Sequence, residues 1–138
     1  MPLSQIKESE MKNILLMILL TFWFGCGESL ITNEGYFKDK DRIYTYSFKK
    51  EVSEQQLKEH ALALMNTSGR MTAAYYYPEG SKIPQNISLA KNVFNVNNIL
   101  DNPRFSSWRY VYMNYYNGKK EFVDCEKMPK NDLCRQLK

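Results

Sequence analysis

The sequence predicts an α+β fold, a small β-α-β-α-β-β sandwich in which two helices pack on one face of a single mixed sheet. Four segments rich in aromatic and β-branched residues, at 43–48, 70–77, 108–116 and 120–125, have the composition of strands. Two further segments repeat apolar residues with the period of a helix. The 138-residue chain is long enough for one such domain, which we place at 42–138.

The first strand and the first helix follow each other at the start of this domain. The aromatic residues of the strand that share one face are Tyr44, Tyr46 and Phe48. The helix begins after Ser53, an N-cap residue that forms a capping box with Gln56. The apolar face of the helix consists of Leu57, Ala61, Leu64 and Met65. We expect Gly69 to end this helix.

The remaining elements are predicted from the same kinds of pattern. A strand at 70–77 comes next, and Ser88 then caps a second, short helix. The apolar face of that helix consists of Leu89, Val93, Val96 and Leu100. The strands at 108–116 and 120–125 form a hairpin, because an Asn-Gly pair between them is a favoured turn.

An apolar segment near the N-terminus has the form of a secretory signal. A lysine precedes a mainly apolar run over 14–24, and a small residue follows the run. The run is too short for a transmembrane helix, which needs about 20 apolar residues. It also lacks the polar face of a helix that packs on a small core. We therefore predict a cleaved signal at 1–25, with Met11 as the true start, because residues 1–10 fit no part of a signal.

The cysteine that follows this segment resembles the lipidation site of bacterial lipoproteins. The resemblance implies cleavage between Gly25 and Cys26, and a diacylglyceryl group and an N-acyl chain on Cys26. It also implies the outer membrane, since Gly27 rather than Asp follows the cysteine. The polar residues 26–41 are then a flexible tether. Cleavage after Gly27 is the alternative, and it gives a soluble periplasmic or secreted protein.

The number of cysteines agrees with lipidation. The chain has three, Cys26, Cys125 and Cys134, and an odd number in a secreted protein leaves one to explain. If Cys26 carries lipid, the other two are free to form a disulfide in an oxidising compartment. Metal binding is the alternative for this pair, but no histidine is near and the spacing is not that of a zinc site.

Tyrosine is the other notable feature of the composition. The candidate binding face consists of Tyr75, Tyr77, Trp108, Tyr110 and Tyr112. Successive strand residues point to opposite faces, so aromatic side chains must occur on both sides of the sheet. One side is expected to pack beneath the helices, and the other is a candidate platform for a glycan, a peptide or a protein. The alternative is that these tyrosines form ordinary half-buried cross-strand pairs.

Catalysis has little support in the sequence. His60 is the single histidine and lies at the edge of the apolar face of the first helix, so we expect a structural role. No nucleophile elbow, phosphate-binding loop or metal-ligand cluster occurs in the sequence. We expect no enzyme activity, no metal and no cofactor beyond the lipid. The net charge of +4 is spread along the chain, so nucleic acid is not an expected partner.

Together these features predict an outer-membrane lipoprotein that faces the periplasm and has a non-catalytic binding or scaffold role. Its membrane contact is the lipid anchor, and its expected partner is an envelope protein or a glycan. An accessory of a secretion or conjugation system, or an exclusion factor, has these properties. The alternative is a small periplasmic enzyme or inhibitor that acts on cell-wall glycan.

Overall fold

A five-stranded mixed sheet with one helix on each face forms the domain in the computed structural model, which describes residues 27–134. The strands are β1 (Ile31–Lys38), β2 (Arg42–Phe48), β3 (Thr72–Pro78), β4 (Tyr110–Asn114) and β5 (Lys120–Asp124). The helices are α1 (Glu54–Leu62) and α2 (Val93–Leu100), with 3₁₀ helices at Ile87–Leu89, Pro103–Phe105 and Asp132–Cys134. The predicted α+β class, with two helices packed on one mixed sheet, is confirmed. The predicted signal, 1–25, and Cys26 lie outside the described residues.

The strands lie in the sheet in the order in which they occur in the chain. β2 and β3 are parallel and are connected through α1, whereas every other neighbouring pair is antiparallel. β3 is therefore the central strand, with two strands on each side. Its side chains are buried or half-buried along its whole length.

The two helices cover opposite faces of the sheet, so the prediction that both lie on one face is wrong. Leu57 of α1 belongs to a buried cluster that includes Ala74 and Tyr76 of β3. Val96 of α2 belongs to a second cluster that includes Ala73. The reason is that β3 carries apolar side chains on both sides, and each side must be covered to remove it from water.

The prediction that residues 26–41 form a flexible tether is also wrong, since half of this segment, residues 31–38, is the edge strand β1. β1 pairs antiparallel with β2, and Phe37 lies opposite Ile43 with only 4% of its surface exposed. A bulge between Asn33 and Gly35 interrupts the register. The bulge breaks the alternation by which a strand is recognised in a sequence, so β1 was not predicted. Because β1 is part of the sheet, the domain begins before residue 42.

α1 begins as predicted and ends earlier. The Ser53 hydroxyl accepts from the Gln56 N–H at 3.2 Å, and the Gln56 side-chain oxygen accepts from the Ser53 N–H at 2.8 Å. The helix ends at Leu62, well before the glycine that was predicted to end it. Just after its last turn, the Asn66 side chain donates to a backbone carbonyl at 3.0 Å, which competes with helical bonding. Met65, predicted on the apolar face, is consequently exposed.

α2 is short, as its sequence indicated, but its cap differs from the prediction. Asn92 is the N-cap, and its side-chain oxygen accepts from the Asn95 N–H at 2.9 Å. Ser88 lies instead in the preceding 3₁₀ helix. In that helix Ile87 is fully buried and Leu89 is exposed. Within α2 the predicted apolar face is correct, since Val96 and Leu100 are buried and Val93 packs half-buried on the same cluster, and only Leu89 lies outside the helix.

Gly35 provides a test of the role of β1 in the domain. A Cβ atom at this position would lie 2.7 Å from Thr45 Oγ1 and 2.9 Å from Ile87 Cγ1. We expect Gly35→Ala to lower the free energy of unfolding by about 1–3 kcal/mol, because the neighbours must shift to admit the methyl group. Urea unfolding of the purified protein measures this change. Gly27→Ala is the matched control, since nothing lies within 4 Å of a Cβ there, and equal stability of the two variants would contradict the close packing of β1.

Candidate functional site

The predicted exposed aromatic face does not exist in the structure. Tyr75, Tyr77 and Trp108 lie on the α2 side of the sheet, whereas Tyr110 and Tyr112 lie on the α1 side. Four of the five are buried, and the remaining one, Tyr75, is half-buried. Because a helix covers each side of the sheet, these residues belong to two separate layers of the core. The prediction of a single binding platform is wrong. These aromatic side chains instead pack on neighbouring strands, and Tyr75 and Tyr77 meet Trp108 edge-on.

A stack of tyrosines crosses the α1 side from the sheet edge to its centre. The ring centroids of Tyr36 and Tyr44 are 4.7 Å apart, those of Tyr44 and Tyr46 are 5.8 Å apart, and those of Tyr46 and Tyr76 are 5.3 Å apart. Burial, followed by the hydrogen bond with Tyr36, raises the pKa of Tyr44 to about 12. Tyr44 is therefore neutral at physiological pH, and the stack stabilises the sheet through apolar and ring–ring contacts.

His60 of α1 contacts the inner end of this stack. Its Nδ1 lies 2.8 Å from the Tyr76 hydroxyl, and its ring meets Tyr46 edge-on at 4.6 Å. Burial lowers the pKa of His60 from its ordinary value. The side chain is half-buried and gives the buried Tyr76 hydroxyl a hydrogen-bond partner. This geometry agrees with the structural role expected for the histidine.

The predicted disulfide between Cys125 and Cys134 is confirmed. Their Cα atoms are 5.3 Å apart, and the bond connects the residue after β5 to the last 3₁₀ helix. A loop of this length contributes about 2–3 kcal/mol in the chain-entropy model. Leu133 packs against the α2-side cluster, so the bond holds the 3₁₀ helix on the sheet.

A cavity of about 390 Å³ lies beside this 3₁₀ helix on the α2 side of the sheet. Its lining residues are Ile43, Met71, Ala73, Tyr75, Val93, Asn97, Asp101, Trp108, Met113, Tyr116, Asp132 and Leu133. Burial raises the pKa of Asp101. Burial and then the charge of Asp101 raise the pKa of Tyr75 to about 12. Nine of the twelve lining residues are apolar or aromatic without a charge, yet polar atoms make up the larger part of the surface that the cavity exposes.

Only two of the residues predicted for the binding face, Tyr75 and Trp108, line this cavity. Asp101 and Asp132 were not predicted as site residues, because they come from the end of α2 and from the disulfide loop. The position of Asp101 directly after the last apolar residue of α2 could have identified it as a residue at the edge of the core. That Asp101 and Asp132 line the same cavity could not be predicted, because their two loops are far apart in the chain and meet only in the folded domain.

Three acidic residues near the end of β5, Glu54, Asp124 and Glu126, contact cations rather than one another. Arg109 lies 3.5 Å from an Asp124 oxygen and 3.0 Å from a Glu126 oxygen. Lys127 lies 2.5 Å from a Glu54 oxygen and 3.6 Å from Asp124. These pairs connect α1 to the end of β5. Most of their members are solvent-exposed, so each exposed pair contributes little to stability.

Comparisons with known proteins gave no match: no family model, no curated protein and no solved structure matches the chain. Among residues 27–134, no helix has the length and apolarity required to cross a bilayer. Within the same residues, no three histidine, cysteine or acidic side chains are grouped closely enough to hold a metal ion.

His60 makes stability depend on pH in a defined window. Its ordinary pKa is 6.5 and its pKa is lower in the folded protein, so the unfolded chain binds the proton more readily. We expect the free energy of unfolding to fall as pH decreases below about 6.5 toward the folded pKa. His60→Gln should flatten this part of the profile, and Lys58→Gln, an exposed change on the same helix, should preserve it. Urea unfolding at several pH values measures the slope, and an unchanged slope in His60→Gln would contradict this role.

Proposed function

We propose that the chain is an outer-membrane lipoprotein that faces the periplasm and uses its folded domain as a non-catalytic binding module. The observation that carries this proposal is the division of the three cysteines. Cys125 and Cys134 form a disulfide, which suits an oxidising compartment. Cys26 is left at the end of a segment that resembles a lipoprotein signal.

The position of β1 supports a domain held close to the membrane. Four residues, 27–30, separate Cys26 from the start of β1 at Ile31. A fully extended chain covers about 3.3–3.6 Å per residue, so Ile31 lies within about 17 Å of the lipidated residue. A binding partner therefore approaches from the side of the domain or from the end that faces away from the bilayer.

The binding role is supported by the cavity on the α2 side. Most of its lining residues are apolar, although polar atoms make up the larger part of its exposed surface, and Tyr75 and Trp108 add aromatic contact area. An envelope protein or a glycan is the expected class of partner, as for an accessory of a secretion or conjugation system or an exclusion factor. The disulfide fixes one wall of the cavity through Leu133.

A small periplasmic enzyme or inhibitor that acts on cell-wall glycan is the second candidate. Asp101 and Asp132 line the same cavity, and burial raises the pKa of Asp101, which suits a general acid. Cleavage of isolated cell-wall glycan by the purified protein, lost in Asp101→Asn, would replace the non-catalytic proposal.

The lipid anchor is tested by changing Cys26. We expect the wild-type chain in the outer-membrane fraction, released by detergent but not by salt, because two or more acyl chains hold a protein stably in a bilayer. Cys26→Ser should move the protein out of this fraction, and cell fractionation with immunoblotting measures the shift. Cys134→Ser is the control that alters the disulfide and leaves the anchor. Wild-type protein in the soluble fraction would contradict the proposal.

A further inference from the structure

The charge of the α2-side cavity is opposite to the charge of the chain as a whole. Among the described residues that line it, Asp101 and Asp132 are the charged ones, and both are acidic. No lysine or arginine is among those lining residues, although the chain has a net charge of +4. A cavity with this lining attracts a cation and disfavours an anion.

The position of Asp101 on its helix is electrostatically unfavourable. Asp101 is the C-cap residue of α2, and the C-terminal end of a helix carries a partial negative charge that favours cations. Its carboxylate is half-buried and makes no hydrogen bond or ion pair within residues 27–134. Burial without a compensating partner raises the pKa of Asp101. A bound cation would relieve both the repulsion from the helix end and the cost of burial.

Two further polar groups at the cavity lack a partner in the described part of the chain. Trp108 is only 7% exposed, and its indole N–H donates to no acceptor there. The hydroxyl of the half-buried Tyr75 makes no hydrogen bond either. Both atoms retain accessible surface, in contrast to the fully buried and unpaired hydroxyl of Tyr112. Because Tyr75 and Trp108 line the cavity, a ligand there can supply the missing partners.

The rings of Tyr75 and Trp108 meet at an angle beside the cavity. Their centroids are 5.0 Å apart, and their planes are inclined by 72°. The charge of Asp101 contributes to the raised pKa of Tyr75, so the carboxylate lies within electrostatic range of this hydroxyl. An ammonium group at this position can pair with the carboxylate, donate to the hydroxyl and contact a ring face.

The remaining lining suits an aliphatic chain better than a bare ion. Ile43 and Ala73 are each 1% exposed, and Met113 is 8% exposed. These apolar side chains offer contact area for methylene groups. A metal ion needs several oxygen ligands, whereas nine of the twelve lining residues are apolar or aromatic. The volume of about 390 Å³ admits a group as large as a lysine side chain.

We propose that the α2-side cavity binds an ammonium group carried on an aliphatic chain, with Asp101 as its carboxylate partner and Tyr75 and Trp108 as the aromatic wall. This inference rests on the proposed binding role of the cavity, and it extends that role by naming the chemistry of the ligand. A lysine side chain of an envelope protein and a free aliphatic amine share this chemistry. A lysine residue also has backbone carbonyl groups, which can accept from the Trp108 indole N–H.

Three probes with the same chain and different head groups test the role of charge. They are n-pentylamine, 1-pentanol and pentanoate, each titrated at pH 7 into the full chain with Cys26→Ser and followed by amide and indole NMR shifts. We expect saturable binding of pentylamine with a Kd of about 1 mM, because the probe is small. The shifts should be concentrated at Tyr75, Asp101 and Trp108. Pentanol and pentanoate should bind about tenfold more weakly or not at all, because neither pairs with a carboxylate.

A fourth probe, Nα-acetyl-lysine N-methylamide, distinguishes the two sources of the ammonium group. Tighter binding than that of pentylamine assigns the cavity to a lysine of a partner protein, because only this probe has the carbonyl groups. Equal or weaker binding assigns the cavity to a free amine.

Asp101→Asn tests the carboxylate with little change of shape. It should weaken pentylamine binding about tenfold and leave pentanol binding unchanged. Its midpoint of thermal unfolding should stay equal or rise, because a negative charge is removed from the end of α2. Glu59→Gln removes an exposed carboxylate from α1, on the other side of the sheet. This matched control should bind pentylamine as the parent protein does.

Equal affinity for pentylamine and pentanol, or unchanged pentylamine binding in Asp101→Asn, would overturn the inference. No binding of pentylamine, or shifts confined to residues outside the cavity, would also overturn it. Pentanol bound at the cavity more tightly than pentylamine would keep the proposed binding role and contradict the preference for a cation. These outcomes are separate from the test of the anchor, because binding of a soluble probe does not require Cys26.

Discussion

The central strand β3 is the constraint on which the rest of the structure depends. It pairs with β2 on one side and β4 on the other, and its side chains are buried or half-buried on both faces of the sheet. Ala73 and Ala74 leave room at one end of the strand, whereas Tyr76 and Tyr77 fill the space at the other. Each face needs its own helix to exclude water, so α1 and α2 lie on opposite sides. This arrangement places most of the strand aromatics in the core.

The features of the fold that could be predicted from the sequence are those whose signal lies within a few neighbouring residues. The capping box of Ser53 and Gln56 fixes the start of α1 within four residues, and it was found from the sequence. The edge strand β1 was missed because Phe37 is its only fully buried residue and a bulge at Gly35 breaks its alternation. The lining of the α2-side cavity was missed for a different reason. Asp101 at the end of α2 is visible in the sequence, but its place at one cavity with Tyr75 and Trp108 depends on segments far apart in the chain.

The functional account combines a local signal with long-range geometry. The proposal of a lipoprotein depends on the segment that ends at Cys26, and the disulfide of the other two cysteines agrees with it. In the proposed lipoprotein, the short connection to β1 holds the end of the sheet at Ile31 close to the membrane. The α2-side cavity lies on a face of the sheet instead, where one wall is held by the disulfide.

The most direct test of this account is the intact mass of the protein extracted from membranes without reductant. The account predicts a chain that begins at Cys26, carries a diacylglyceryl group and an N-acyl chain, and has lost two hydrogens at Cys125 and Cys134. Treatment with a reductant should restore those two hydrogens and leave the acyl mass unchanged. A soluble protein whose mass begins at Glu28, without added acyl chains, would contradict the lipid anchor and the membrane-proximal orientation that follows from it.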